Sequence, residues 1–133
     1  MNYLDSNVFL YPLIYPETDK KAKAAKALLL EVASGKGGFT SSLTWDEVCW
    51  ICKKHFGRDK SLQEGKKLLE FPSLFILQAD EAIITEAQKI AEKYNLDPRD
   101  AIHAATALKN GASEFITADK DFLAVKELKV KFF

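Results

Sequence analysis

Acidic residues follow the predicted strands at several points of this 133-residue chain, and their positions are the first indication of chemistry. Asp5 comes directly after the apolar segment MNYL, and Asp119 and Asp121 follow the segment EFIT. Glu47 lies one turn into the helix predicted after FTSS, and Asp100 lies in the first turn of the helix predicted at PRDAIHAATALKNGA. Carboxyl ends of parallel strands meet at one edge of a sheet, where open α/β folds form their sites. The spacing therefore permits these acids to converge.

Converging carboxylates repel one another, and burial would force some of them to keep their protons. A divalent cation relieves that repulsion, and a donor set of oxygen atoms without cysteine or histidine favours Mg²⁺ or Mn²⁺ over zinc. Such cations bind one or two carboxylates together with substrate phosphate. The chemistry indicated is therefore hydrolysis or transfer at a phosphate.

Each acid also has a purely structural interpretation. Asp5 could cap the segment that follows it, and Asp119 with Asp121 could form a turn. Glu47 could be a solvated helix residue, although its neighbours look buried. Asp97 and Asp100 flank Pro98 and could be helix-start acids that complement the helix dipole. These interpretations are favoured for each acid alone. The recurrence of acids where α/β sites form favours a shared site.

Short apolar strands that alternate with helices must position these acids. We predict strands at MNYL (broken by Asp5-Ser6-Asn7), FTSS, LFILQ as a buried strand, EFIT and KVKFF, and helices at DKKAKAAKALLLEVASGKGG, SLTWDEVCWICKKHFG, SLQEGKKLLEFPS, ADEAIITEAQKIAEKYNLD and PRDAIHAATALKNGA. The helix after FTSS is expected to bury Val48 and Trp50. This alternation predicts an α/β domain with a mostly parallel sheet.

Composition places the chain among globular proteins, with 47% hydrophobic and 29% charged residues. Lys plus Arg and Asp plus Glu both number 19, so overall charge predicts no partner. No apolar segment approaches the ~20 residues of a membrane span, and no secretory signal is evident, which predicts a cytoplasmic protein without membrane contact. Cys49 and Cys52 lack the second ligand pair of a structural zinc site, so we expect inert packing thiols.

Four segments, taken in order, resemble the PIN-domain family of metal-dependent ribonucleases, and among them the small VapC-type toxins. They are YLDSNVFL at 3–10, SSLTWDEV at 41–48, LDPRDAIHAATAL at 96–108 and FITADKDF at 115–122. The resemblance spans nearly the whole chain. It implies one domain over residues 1–133, a three-layer α/β/α fold with a central, mostly parallel sheet.

The resemblance also implies a set of site residues. The catalytic metal ligands would be Asp5, Glu47, Asp100 and Asp119, with Asp121 either a fifth ligand or a turn cap. Asn7 and Thr117 match positions that support such acids by hydrogen bonds. Arg99 and Lys120 stand beside the implied ligands and are expected to contact substrate phosphate. For His103, we favour a hydrogen-bonded packing role over substrate contact.

The implied function is an Mg²⁺- or Mn²⁺-dependent endoribonuclease that hydrolyses RNA phosphodiesters, acting as the toxin of a type II toxin–antitoxin pair. A small antitoxin protein would be its partner. Apolar residues on more than one face of LTWDEVCWICKKHF, together with Tyr11, Leu13, Ile14 and Tyr15, predict a homodimer. Two alternatives stay open, namely an inactive RNA-binding or scaffold module and an Mg²⁺-dependent phosphohydrolase of small phosphoesters. The second lacks its usual D-x-D motif, because Asp5 is followed by Ser6-Asn7.

Overall fold

The structure is a computed structural model that describes residues 1–133. Its strands are β1 (Tyr3–Leu4), β2 (Gly38–Ser41), β3 (Leu74–Leu77), β4 (Phe115–Thr117) and β5 (Val130–Phe132). Its helices are α1 (Ser6–Ile14), α2 (Lys20–Glu31), α3 (Ser42–Phe56), α4 (Arg58–Leu69), α5 (Glu81–Tyr94) and α6 (Pro98–Lys109), with a short 3₁₀-helix at Lys120–Ala124. No helix has the length and apolar character that crossing a membrane would require.

The strands form one sheet in the order β3-β2-β1-β4-β5, and every neighbouring pair is parallel. β1 and β4 are adjacent at the centre, with Tyr3 paired to Phe115 and Leu4 to Ile116. The chain therefore leaves both strands at the same edge of the sheet. This edge is where parallel α/β folds place their sites.

Side chains of successive residues in the central strands point to opposite faces and build two cores. Tyr3 and Phe115 join one core, under α5 and α6, while Leu4 and Ile116 join the other, which is covered by α1 to α4. The arrangement is helix, sheet, helix. It confirms the predicted three-layer α/β/α fold with a parallel sheet.

Two burial predictions were wrong. β3 lies at the edge of the sheet and is only partly covered, so Phe75 is 54% exposed. Trp50 is also half exposed, because α3 directs Thr44, Val48 and Cys52 toward the core at four-residue spacing and Trp50 lies on another face.

Helix α1 begins where sequence analysis expected only a break after the first strand. The side chain of Asp5 caps it by accepting the backbone N–H of Ser6 at 2.8 Å. Pro12 lies inside the helix. Because proline removes a backbone hydrogen-bond donor, its presence disfavoured a helix prediction for this segment. Because α1 begins directly after β1, Asn7 in its first turn lies at the edge of the sheet where β1 and β4 end.

Helices α3 and α4 approach closely at Gly65. A Cβ atom there would lie 2.7 Å from the Sγ of Cys49 and 3.0 Å from Nε1 of Trp45, so any larger residue would have to displace these side chains. Cys52 is buried in the core and Cys49 is half buried. Burial raises the pKa of both thiols and keeps them protonated.

Candidate functional site

Three carboxylates converge at the edge where β4 ends and α6 begins. The side chains of Asp100, Asp119 and Asp121 each offer an oxygen atom, and these atoms lie within 4.8 Å of one another. Asp100 and Asp119 are partly buried and Asp121 is exposed. The trio thus opens to solvent on one side.

The loop after β4 brings Asp119 and Asp121 into this trio. Oδ1 of Asp119 accepts the backbone N–H of Asp121 at 2.9 Å and caps the 3₁₀-helix Lys120–Ala124. Phe122 is fully buried and anchors that helix. Asp119 therefore caps a turn, as the structural interpretation expected, and its side chain also lies in a cluster of carboxylates, as the shared-site interpretation expected.

The hydroxyl of Thr117 links the central strands to this loop. It donates to Oδ2 of Asp5 at 2.7 Å and accepts the backbone N–H of Asp119 at 3.0 Å. The side chain of Asn7 donates to the same hydroxyl at 3.2 Å and accepts the backbone N–H of Ala118 at 3.3 Å. Thr117 thus contacts Asp5 directly, and Asn7 acts through Thr117.

Asp5 and Glu47 lie outside the open trio and meet at His103. Nε2 of His103 is hydrogen-bonded to the Glu47 carboxylate and lies 3.7 Å from Oδ1 of Asp5. Its Nδ1 lies 2.5 Å from the hydroxyl of Tyr3, which also accepts the backbone N–H of Ser41 at 3.2 Å. A bare lone pair on Nε2 would face two carboxylates, so Nε2 carries the proton and donates it.

The electrostatics of the site reflect crowded negative charge. Burial raises the pKa of Asp100 to about 6, with further contributions from the charges of Asp119 and Asp5. Burial also raises the pKa of Asp5, against the lowering effects of His103 and the Thr117 hydrogen bond. For His103, burial lowers the pKa, but the Glu47 hydrogen bond and the Asp5 charge outweigh it and the pKa is raised.

These groups fit a divalent cation. The trio offers only oxygen atoms, at separations that permit shared coordination. Burial first, and then the charges of Asp119 and Asp5, raise the pKa of Asp100, and a cation would stabilise the charged form that both effects disfavour. Oxygen donors of this kind suit Mg²⁺ or Mn²⁺. The trio is therefore the position where such an ion would be held.

The pKa of Asp100 predicts how pH changes the metal-free protein. Its ordinary value of 3.8 rises to about 6 on folding, so the folded state binds this proton more tightly and gains stability as pH falls from 7 to 4. After solvent screening of this partly exposed group, we expect Asp100→Asn to be more stable than wild type by about 1–2 kcal/mol at pH 7. The difference should vanish near pH 4. Urea unfolding of both proteins in EDTA across this range checks it, and a difference independent of pH would contradict it.

The two residues expected to contact substrate phosphate, Lys120 and Arg99, differ in their position relative to the trio. Lys120 lines a polar cavity of about 370 Å³ beside the trio, together with Asp97, Asp100 and Asp121. Arg99 is exposed on the first turn of α6 and does not line this cavity. Asp97 occupies the N-cap position of α6, but its side chain makes no capping hydrogen bond.

Sequence reasoning missed Tyr3 as part of the site. Its side chain is fully buried, yet its hydroxyl fixes the ring of His103. A tyrosine in a short apolar strand gives no sign of a polar partner 100 residues away. The expected packing role of His103 matches its burial and its two hydrogen-bond partners.

Comparisons with known proteins place this geometry in a family. The family model for the PIN domain matches residues 3–128. No curated protein matches the chain in sequence.

Solved structures share the fold at low identity. A toxin–antitoxin complex from Klebsiella pneumoniae is similar with a TM-score of 0.71 and 23% identity, over 98% of this chain and 96% of that chain. VapBC2 from Rickettsia felis, bound to a promoter DNA fragment, gives 0.73 and 17%, over 99% and 98%. The sarcin–ricin loop cleaving toxin VapC20 from Mycobacterium tuberculosis gives 0.77 and 14%, over 98% of both chains. Because the family model covers nearly all of the sequence, this chain belongs to the PIN domain family.

Proposed function

We propose that this protein is an Mg²⁺- or Mn²⁺-dependent endoribonuclease that hydrolyses RNA phosphodiester bonds. The observation that supports it most is the oxygen-only trio of Asp100, Asp119 and Asp121, in which burial and the charges of neighbouring acids raise the pKa of Asp100 to about 6. Membership of the PIN domain family, a family of metal-dependent ribonucleases, supports the same chemistry for this cluster.

The chain's own residues have separate tasks in this proposal. Asp100, Asp119 and Asp121 hold the cation, and Asp5 and Glu47 complete the acidic site from the buried side. When bound, the cation supplies activation of a water for in-line attack on phosphorus and stabilisation of the leaving oxygen. Thr117 fixes Asp5, and the backbone N–H of Asp119 is fixed by the same hydroxyl.

Positive charge near the acids would hold the RNA backbone. Lys120 and Arg99 are exposed beside the trio, and neither forms an ion pair within the protein. Both are therefore available for phosphate contact, as the proposal requires.

We further propose that the protein is the toxin of a toxin–antitoxin pair and acts in the cytoplasm. Support comes from its structural neighbours, which include toxin–antitoxin complexes and an RNA-cleaving toxin. A homodimer is part of the proposal, supported by the exposure of Trp45, Trp50 and Leu69 on α3 and α4. Light scattering at high concentration tests the dimer, and a strict monomer excludes it.

Incubation with total bacterial RNA and Mn²⁺, followed by mapping of new RNA ends, tests the activity. We expect discrete cleavage by wild type and loss of about a thousandfold in rate for Asp119→Asn, which removes one carboxylate of the trio. The matched control is Asp46→Asn, an exposed acid outside the cluster, which should cleave at the wild-type rate. Cleavage that persists in Asp119→Asn refutes the site, and no cleavage by wild type on any RNA favours the inactive module.

Small phosphoesters provide the test of the remaining alternative. Release of phosphate from p-nitrophenyl phosphate by wild type, with loss in Asp119→Asn and with intact RNA, would favour a phosphohydrolase over a ribonuclease.

A further inference from the structure

Helix α1 and the residue that ends it carry a row of one polar and two aromatic side chains that starts at the acidic site. Asn7 and Tyr11 lie four residues apart on one side of the helix, and the C-cap residue Tyr15, whose backbone is extended, packs its ring against Tyr11. Asn7 bonds Thr117 and the backbone of Ala118, directly before Asp119. The row therefore leads away from the site with an aromatic ring at each turn.

Tyr11 lies at the same edge of the sheet as the acids. Its ring meets the ring of Phe133 edge-on, with centroids 5.5 Å apart, and Phe133 directly follows β5 at that edge. Burial raises the pKa of Tyr11, and the charges of Tyr15, Asp19 and, least, Asp119 add to this effect. Both observations place Tyr11 beside the catalytic edge.

Tyr11 and Tyr15 form a pair with an open face. Their ring centroids lie 4.8 Å apart at 35°, so Tyr11 supports the ring of Tyr15 from one side. Tyr15 is 45% exposed, and the protein provides no hydrogen-bond partner for either hydroxyl. A supported, exposed aromatic ring is the kind of surface on which an unpaired nucleobase stacks.

Positive charge lies next to Tyr15. A surface cavity of about 220 Å³ is lined by Tyr15, by Lys23 and Lys26 of α2, and by one acid, Glu17. Lys26 pairs with Glu17 only at 4.0 Å, and Glu17 is 94% exposed, so this pair holds the ammonium group weakly. Lys23 has no ion pair within the protein. Two cations beside an aromatic ring match the phosphates and base of one stretch of single-stranded nucleic acid.

We propose that Tyr11, Tyr15, Lys23 and Lys26 form a subsite for single-stranded RNA next to the bond that is cut. A base stacks on Tyr15, which Tyr11 supports, and the two lysines bind the adjoining phosphates. A fully paired duplex cannot use this subsite, because its bases are already stacked on each other. The inference rests on the proposed ribonuclease activity and adds the position at which the RNA substrate binds. It assigns to the substrate two tyrosines that sequence analysis took for dimer contacts.

Fluorescence anisotropy without turnover tests the subsite. All proteins carry Asp100→Asn and are kept in EDTA, which suppresses cleavage, and the probes are a labelled ten-nucleotide oligoadenylate and an abasic ribose-phosphate chain of equal length. We expect Tyr15→Leu to weaken oligoadenylate binding about tenfold and abasic binding less than twofold, since only the first probe can stack. Phe56→Leu, an equally exposed aromatic at the end of α3, is the matched control and should change neither affinity.

The lysines have a separate readout. The double variant Lys23→Gln/Lys26→Gln should weaken both probes, and the slope of log affinity against log salt should fall by about 1.4, because two phosphate contacts are lost. Lys89→Gln/Lys109→Gln removes two exposed lysines of α5 and α6 and should leave that slope unchanged. Melting curves of every variant confirm that it is folded.

Unchanged oligoadenylate affinity in Tyr15→Leu overturns the subsite, including the case in which this surface binds a protein partner instead. Equal losses on the two probes also overturn it, since no base is then stacked, as does absence of oligoadenylate binding by the Asp100→Asn protein. Cleavage by proteins without the Asp100 change is measured separately. If wild type cleaves RNA and Tyr15→Leu leaves oligoadenylate affinity unchanged, only the subsite is refuted. If wild type does not cleave RNA, the proposed function is refuted.

Discussion

Mn²⁺ is expected to raise the melting temperature of the wild-type protein by roughly 10 °C, and that of Asp100→Asn by much less. A cation that binds only the folded state stabilises it by about 2.7 kcal/mol at a hundred times its dissociation constant. For a domain of this size, each kcal/mol shifts the melting temperature by about 3–6 °C. Differential scanning fluorimetry with a Mn²⁺ titration measures both proteins directly.

The size of this effect follows from the position of Asp100. It is a partly buried member of the trio, and its carboxylate is the one whose pKa is raised to about 6 by burial and by the charges of Asp119 and Asp5. Asparagine removes a charge that repels its neighbours without metal and attracts the cation with metal. The order of stability should therefore reverse, with the variant more stable in EDTA and wild type more stable in Mn²⁺.

Asp46→Asn is the matched control, because Asp46 is exposed on α3 and contributes nothing to the trio. It should behave as wild type in EDTA and in Mn²⁺. Equal shifts in wild type and Asp100→Asn would place the cation elsewhere and return Asp100 to a helix-start role. No shift of the melting temperature in either protein would mean that the trio does not bind Mn²⁺.

The convergence of the acids could be predicted because it depends on topology. Asp5 and Asp119 each follow an apolar strand, and parallel strands end at a common edge, so their proximity requires only the α/β pattern. Asp100 was placed there by Pro98, which begins α6 beside that edge. The position of Asp121 could not be decided, because its approach depends on the 3₁₀-turn anchored by Phe122.

Features that depend on the packing of distant side chains could not be predicted. The exposure of Phe75 follows from the place of β3 at the sheet edge, and an apolar strand has the same composition at the edge and at the centre. The pairing of Tyr3 with His103 joins residues 100 positions apart, and α1 was hidden by Pro12. In each case the local sequence is compatible with more than one environment.

His103 is the position where a single substitution should cost the most stability. Its side chain is 1% exposed and joins the Tyr3 hydroxyl to the Glu47 carboxylate. His103→Leu fills similar space but removes one of the two hydrogen bonds of the Tyr3 hydroxyl, which keeps the backbone N–H of Ser41. It also leaves the largely buried carboxylate of Glu47 without a hydrogen-bond partner. We expect a loss of about 3–4 kcal/mol in the free energy of unfolding, seen by urea unfolding and as a fall of roughly 10–20 °C in melting temperature.

His103 should also affect metal binding, because its hydrogen bond fixes the orientation of the Glu47 carboxylate, which in our proposal completes the acidic site from the buried side. Loss of such a partner lowers metal affinity by about 10- to 100-fold. Tyr3→Phe keeps the His103–Glu47 contact and removes only the hydroxyl, so it should lose about 1–2 kcal/mol and less Mn²⁺ affinity. His55→Leu replaces the other histidine, which is exposed, and should change neither quantity. A destabilised His103→Leu protein with wild-type Mn²⁺ affinity would show that His103 serves the core and not the orientation of Glu47.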